Sequence, residues 1–144
     1  MMELKVKKLC EEAKIPQYAH EGDSGMDLYS VEEATLEPGE TKTVKTGLQI
    51  SIPKGFEAQV RPKSGLASKF GVTVLNTPGT VDSGYRGEIM VILANLGKEA
   101  YKVEKGKKIA QVVIAKVEEA DIKVVESLDE TTRNKGGFGS TGLD

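Results

Sequence analysis

Apolar residues in this chain fall in short runs of Val, Ile, Leu and Thr, and none keeps a 3.6-residue period long enough for a major helix. Turn signals interrupt the runs at Pro38-Gly39, Pro53-Lys54-Gly55, Pro78-Gly79, Ser83-Gly84 and Lys105-Gly106. Between them, Thr41–Ile50, Phe56–Val60, Val72–Leu75, Glu88–Leu93, Ile109–Val117 and Ile122–Val125 read as strands. A turn or two of helix is expected from Ser64 to Lys69, with Ser64 as a residue able to cap free N–H groups. The pattern predicts an all-β sandwich or barrel, and the 144 residues show no repeat or linker that would divide one domain spanning 1–144.

The end of the chain breaks this pattern. Residues 129–144 are polar, with four glycines between Gly136 and Gly142, and are expected to be mobile. Phe138 sits alone there between Gly137 and Gly139, where it is either the tip of a disordered end or part of a lid.

Composition narrows the chemistry. Hydrophobic residues make up 38% and charged residues 29%, as in an ordinary soluble globule. A net charge of -2 argues against a surface that coats nucleic acid, so an anionic ligand has to be met by a local cluster. One Cys and one His rule out a zinc site built from several such ligands, and Cys10 has no internal disulfide partner. Cys10 and His20 read as structural or exposed. No apolar stretch has signal-peptide or membrane length, so a cytoplasmic location is expected, without membrane contact. Catalysis is left to carboxylates, hydroxyls, cations and a hard metal, which suits phosphate chemistry or hydrolysis.

Several stretches carry candidate chemistry, although each alone also fits an ordinary surface turn. Asn76 to Glu88 contains Ser83-Gly84, read as a tight turn with Gly84 at positive φ, flanked by Asp82 and Tyr85. Gly79 and Gly87 lack a Cβ, which allows their backbone close to a planar polar ligand. Arg61-Pro62-Lys63-Ser64-Gly65 puts cations and a hydroxyl at the start of the helical turn, where anions bind. Asp23 to Leu28 reads as a turn bearing two carboxylates suited to a cation or its waters. Gly106 to Gln111 reads as a turn entering a buried strand, and Arg133 to Gly142 supplies cations and hydroxyls around Phe138.

In this order and spacing, the stretches resemble the five motifs of the trimeric dUTPase family, from Asp23 to Gly142. The resemblance implies a jelly-roll-like β protomer in a homotrimer, with active sites at subunit junctions and the tail closing over a neighbour's nucleotide. It implies hydrolysis of dUTP to dUMP and pyrophosphate, which supplies dUMP for thymidylate synthesis and keeps uracil out of DNA. Asp82 matches the general base, and Tyr85 the aromatic that packs under deoxyribose and leaves no room for a 2′-hydroxyl. Asn76 and the backbone of Gly79, Thr80, Val81 and Asp82 match the groups that pair with uracil, with Met90 near the same pocket. Lys63, Ser64 and Gly65 match a phosphate-binding turn of another subunit, and Gln111 a residue near the phosphates. Phe138 matches the tail aromatic that stacks on uracil, and Arg133, Ser140 and Thr141 its phosphate contacts. Asp27 matches the acidic residue that reaches the cofactor Mg²⁺ through water.

Three positions depart from the usual pattern: Lys63 and Lys108 stand where Arg is common, and Gly84 where many members have a second Asp. Lys63 keeps the charge but loses the bidentate fork. Two rival functions remain at this stage, a dCTP deaminase of the same superfamily and a non-catalytic dUTP sensor. The deaminase carries a catalytic Glu on the strand after the third motif, where this chain has Ile92. The sensor should have lost Asp82 or Phe138, and both are present.

Overall fold

The computed structural model describes residues 1–144, in which eleven strands and one short helix make up the regular structure. In the first half these are β1 (Lys5–Lys8), β2 (Gly25–Tyr29), β3 (Ala34–Leu36), β4 (Thr41–Lys45), β5 (Leu48–Ser51) and β6 (Phe56–Arg61). The helix α1 (Ser64–Phe70) follows, then β7 (Val72–Val74), β8 (Gly79–Val81), β9 (Met90–Asn95), β10 (Tyr101–Val103) and β11 (Lys108–Lys116).

A four-stranded antiparallel sheet in the order β2-β11-β6-β8 and a three-stranded sheet β4-β9-β7 carry most of the core, with the smaller pairs β1-β5 and β10-β3 beside them. Alternation assigns the faces. In β2, Met26 and Leu28 are buried while Asp27 and Tyr29 point outward; in β11, Ala110 and Val112 face in and Gln111 faces out. Leu28, Leu36, Leu48 and Leu93 are essentially fully buried, and cutting any one to Ala is expected to cost about 2–5 kcal/mol. The few buried polar side chains are satisfied: Asn95 donates to the carbonyls of Leu36 (2.9 Å) and Glu99 (2.8 Å) and accepts from the N–H of Gly97 (2.9 Å).

Several sequence expectations change. The run Thr41–Ile50 is two strands, split at Thr46 and Gly47, where Gly47 turns the chain at φ 70°. Asp27 lies in the middle of β2 instead of on a turn. Ser64 is the first helical residue and makes no cap; Lys63 holds the cap position with extended backbone. Gly84 is not among the glycines at positive φ, so the Asp82–Tyr85 turn, closed by the N–H of Tyr85 on the carbonyl of Asp82 (3.1 Å), has another geometry. Ile122–Val125 forms no strand, because no neighbouring strand pairs with it. The last hydrogen bond tying the C-terminal region to the body runs from the N–H of Val117 to Gly55 (2.9 Å). No helix is long and apolar enough to cross a membrane.

Candidate active site

The outward face of the four-stranded sheet gathers charge at one end. Gln111 of β11 stands between Asp27 of β2 and Arg61 of β6 in the antiparallel register. Its Nε2 donates to the carbonyl of Pro62 (3.0 Å), which pins the turn leading into α1. Lys63, two residues past the end of β6, donates through Nζ to Asp27 Oδ1, and Lys108 Nζ sits 3.0 Å from Asp27 Oδ2. Asp27 thus holds two ammonium groups, one on each oxygen.

A β-bulge brings Lys108 to this face. The β11–β2 register slips between Lys108 and Ala110, so Lys108 pairs with Tyr29 where a regular ladder would place Ile109. Ile109 and Ala110 both turn into the core, and the ammonium of Lys108 reaches Asp27. Burial pushes the Asp27 carboxyl upward, but the hydrogen bonds and charges of Lys63 and Lys108 outweigh it and hold the group below the usual carboxylate range. The Lys108 ammonium is correspondingly raised, first by its hydrogen bond to Asp27 and then by that carboxylate's charge.

A second patch lies along the neighbouring strands. β8 pairs with β6 from Val60↔Gly79 to Ala58↔Val81, which carries Asp82 toward the Glu57 end of β6. An added Cβ on Gly79 would press on Val60 (3.2 Å) and on Asn76 Nδ2 (3.3 Å), so the missing side chain makes room for the Asn76 amide. At Gly87 the space is filled by the ring of Tyr85, whose hydroxyl donates to the carbonyl of Glu88 (2.8 Å). Gly87 therefore seats Tyr85, where the sequence reading had its backbone approaching a ligand. Met90, at the start of β9, and Tyr85 both remain exposed.

Sequence reasoning missed the struts behind this turn. Gln49 Nε2 donates to the carbonyl of Arg86 (2.7 Å), Glu88 Oε2 accepts from the N–H of Gly47 (2.9 Å), and the Arg86 guanidinium donates to the carbonyl of Ser83 (2.8 Å). Gln49 and Gly47 lie far away in sequence, and no local pattern marks them as partners.

Within one chain the two patches stay apart. The cations gather beside Arg61, whereas Asp82 lies near the level of Glu57, roughly 13 Å away along the strand at about 3.3 Å per residue. Asp82 opens onto a cleft of about 630 Å³ with Lys54, Glu57, Glu118 and Glu119, and forms no ion pair there. The tail joins neither patch. Arg133 Nε donates to the carbonyl of Gly136 (2.8 Å), every hydrogen bond from Thr131 onward is local, and Phe138 is fully exposed with its backbone at φ 52°. Ser140 and Thr141 are exposed beside it. Ile92, at the position that would separate a deaminase from a hydrolase, lies in β9 opposite Thr43 and supplies no carboxylate.

Fold and face together define an all-β protein with a preassembled cationic patch and a tyrosine-backed turn on adjoining strands. The dUTPase family model matches residues 11–142. The deoxyuridine 5'-triphosphate nucleotidohydrolase of Clostridioides difficile is 58% identical over 143 residues, covering 99% of this chain and 100% of the relative. That of Clostridium novyi (strain NT) is 60% identical over 142 residues, with 99% and 100% covered. A solved mutant dUTPase of Staphylococcus bacteriophage 80alpha with dUpNHpp matches at TM-score 0.91 and 29% identity, over 98% of this chain and 99% of that one. A mutant dUTPase of S. aureus phage phi11, solved to describe the coordination of a structural Mg(II) ion, matches at TM-score 0.82 and 28% identity, over 89% and 99%. The chain belongs to the dUTPase family and is an enzyme of that family.

Proposed function

We propose that this enzyme hydrolyses dUTP to dUMP and pyrophosphate at sites shared between copies of the chain in a homotrimer. The observation that carries the reading is the division of one chain into two half-sites. The patch of Asp27, Lys63, Lys108 and Gln111 suits a triphosphate, and the turn carrying Asn76, Asp82 and Tyr85 suits a deoxynucleoside and its α-phosphate. A second copy placing its cations against the first copy's turn completes the site.

In that site Asn76 and the backbone of Gly79, Thr80 and Val81 pair with uracil's polar edge, next to Met90. Cytosine would leave buried partners unpaired and is refused. Tyr85, held over Gly87, fills the space a ribose 2′-hydroxyl needs. Asp82 takes a proton from a water whose oxygen bonds to the α-phosphorus. The bond from that phosphorus to the bridging oxygen breaks, and pyrophosphate leaves with the electron pair. Lys63 and Lys108, with the N–H groups of Ser64 and Gly65 and the amide of Gln111, stabilise the charge that builds on it. The tail then closes: Phe138 stacks on the base, and Arg133, Ser140 and Thr141 reach the phosphates and exclude bulk water.

The residues fit Mg²⁺ in one way only. The chain presents no group of three or more His, Cys, Asp or Glu able to cage an ion, and both Asp27 oxygens hold lysines. This donor set suits a hydrated ion carried by the triphosphate and touched by Asp27 through water. Such an ion supplies charge neutralisation that lets the nucleophile approach. A cytoplasmic enzyme of this kind supplies dUMP for thymidylate synthesis and keeps uracil out of DNA.

The test is product analysis with dUTP, dCTP, dTTP and UTP, each with and without Mg²⁺. dUTP alone should yield monophosphate and pyrophosphate, at full rate only with Mg²⁺. Deaminated product from dCTP, or tight dUTP binding without turnover, would sink the proposal.

A further inference from the structure

Beside the phosphate patch lies an open cleft of about 610 Å³ that the proposed reaction does not use. Its walls carry Lys14, Tyr29, Phe70, Tyr101, Lys102 and Lys107, and Glu104 is the one acid among its lining residues. Phe70 and Tyr101 lie 5.1 Å apart between ring centroids at a 47° tilt, and Phe70 keeps about half its surface exposed. In the same lining the Lys14 ammonium sits 5.0 Å from the centre of the Tyr29 ring and donates to the carbonyl of Gly106 (2.9 Å). Lys102 and Lys107 have no carboxylate within ion-pair distance, whereas nearby Lys105 is paired with Glu12 at 3.4 Å.

The floor is rigid. The turn from Glu104 to Lys107 is bonded twice to buried Ser30, through the N–H of Gly106 on the Ser30 carbonyl (2.7 Å) and the N–H of Ser30 on the Lys107 carbonyl (2.9 Å). Lys108 closes the side toward the phosphate patch, but its ammonium is committed to Asp27.

Uncommitted ammonium groups beside the exposed Phe70 ring and the partly exposed Tyr101 ring suit a ligand that is anionic at one end and planar at the other. We propose that this cleft is a second binding site, separate from the catalytic one, that takes a nucleotide: its base against Phe70 and Tyr101, its phosphates on Lys102 and Lys107. The chain's net charge of -2 and the cleft's size favour a free nucleotide over a nucleic acid.

Calorimetry on the full chain, with dUpNHpp held at saturation so that the catalytic phosphate patch is filled, tests the site using ADP and inorganic pyrophosphate as probes. Adenine does not offer uracil's edge to the Asn76 turn, and a signal lost in the Lys102/Lys107 variant belongs to the cleft whether or not dUTP is the substrate. ADP should bind more tightly than pyrophosphate. The double variant Lys102→Ala/Lys107→Ala should weaken both probes by about tenfold or more. Phe70→Ala should weaken ADP alone, by roughly fivefold. Turnover of dUTP should be unchanged in both variants, which also reports that they fold. ADP binding unaltered by the double variant, or no ADP binding below about millimolar concentration, would overturn the site. Equal affinity for the two probes, indifferent to Phe70→Ala, would overturn its assignment to nucleotides.

Discussion

Two parts of this molecule, both proposed to meet the triphosphate, are built in opposite ways. Asp27, Lys63, Lys108 and Gln111 stand on a sheet face, with the Asp27 side chain only 14% exposed and both its oxygens engaged before any ligand arrives. Arg133, Ser140 and Thr141 sit on a tail whose hydrogen bonds are all local and whose Phe138 touches nothing that buries it. The first arrangement is preorganised: lysines already held by a carboxylate need little rearrangement to meet phosphate. The second is tied to the body by no hydrogen bond past Val117, which suits the lid role proposed for it.

The largest expected effect locates the chemistry on the ordered side. Asp82→Asn should still bind dUTP while turnover falls by about 10²–10⁴-fold, because the pocket keeps its shape and loses the base. Single-turnover kinetics beside a binding isotherm separate the two, and near-normal turnover would place the base elsewhere. Next comes the tail. Deleting residues from Arg133 onward should lower kcat by roughly a hundredfold, while the melting temperature stays within about 2 °C of the parent. If the deletion instead unfolds the protein, the tail is part of the core and the contrast fails.

The smallest effect tests the ordered patch through stability. Asp27→Asn should cost about 1 kcal/mol near neutral pH, since a partly buried carboxylate loses its charge-assisted partners. The sign follows from the lowered folded pKa. The unfolded carboxyl titrates near 3.9, so the stabilisation is complete above that value and disappears as pH falls through the folded pKa. Urea melts of parent and variant should therefore differ at pH 7 and converge only as pH falls below the usual carboxylate range. A gap that persists in acid would mean that packing, and not charge, holds this corner.

Much of the architecture was legible in the chain because β-strands announce themselves by alternation. The alternating stretch Phe56–Val60 and the Val- and Ile-rich stretch Ile109–Val117 became β6 and β11 with shifts of a residue at their ends. β1 was not legible: Lys5-Val6-Lys7-Lys8 holds one apolar residue and is a strand only because it finds Leu48–Ser51. Ile122–Val125 errs the other way, with strand-like residues and no edge to join. Of the candidate site, Asp27, Lys63, Asp82, Tyr85 and Gln111 are named from motifs; Arg86 and Glu88 fall inside the Asn76–Glu88 stretch without a role, and Gln49 carries no signal at all.

The sequence by itself determined the strand-rich pattern, the polar glycine-rich tail, the count of one His and one Cys and the order of the family's motifs. Those properties depend on residue type and short spacing, which a chain carries whether folded or not. Only the tertiary structure decided that a bulge at Ile109 turns Lys108 toward Asp27, that Tyr85 rather than a ligand covers Gly87, and that Asp82 lies a strand's length from the cations. Each of these depends on which distant strand supplies the next hydrogen bonds and in what register. A slip of one residue there moves every side chain to the other face.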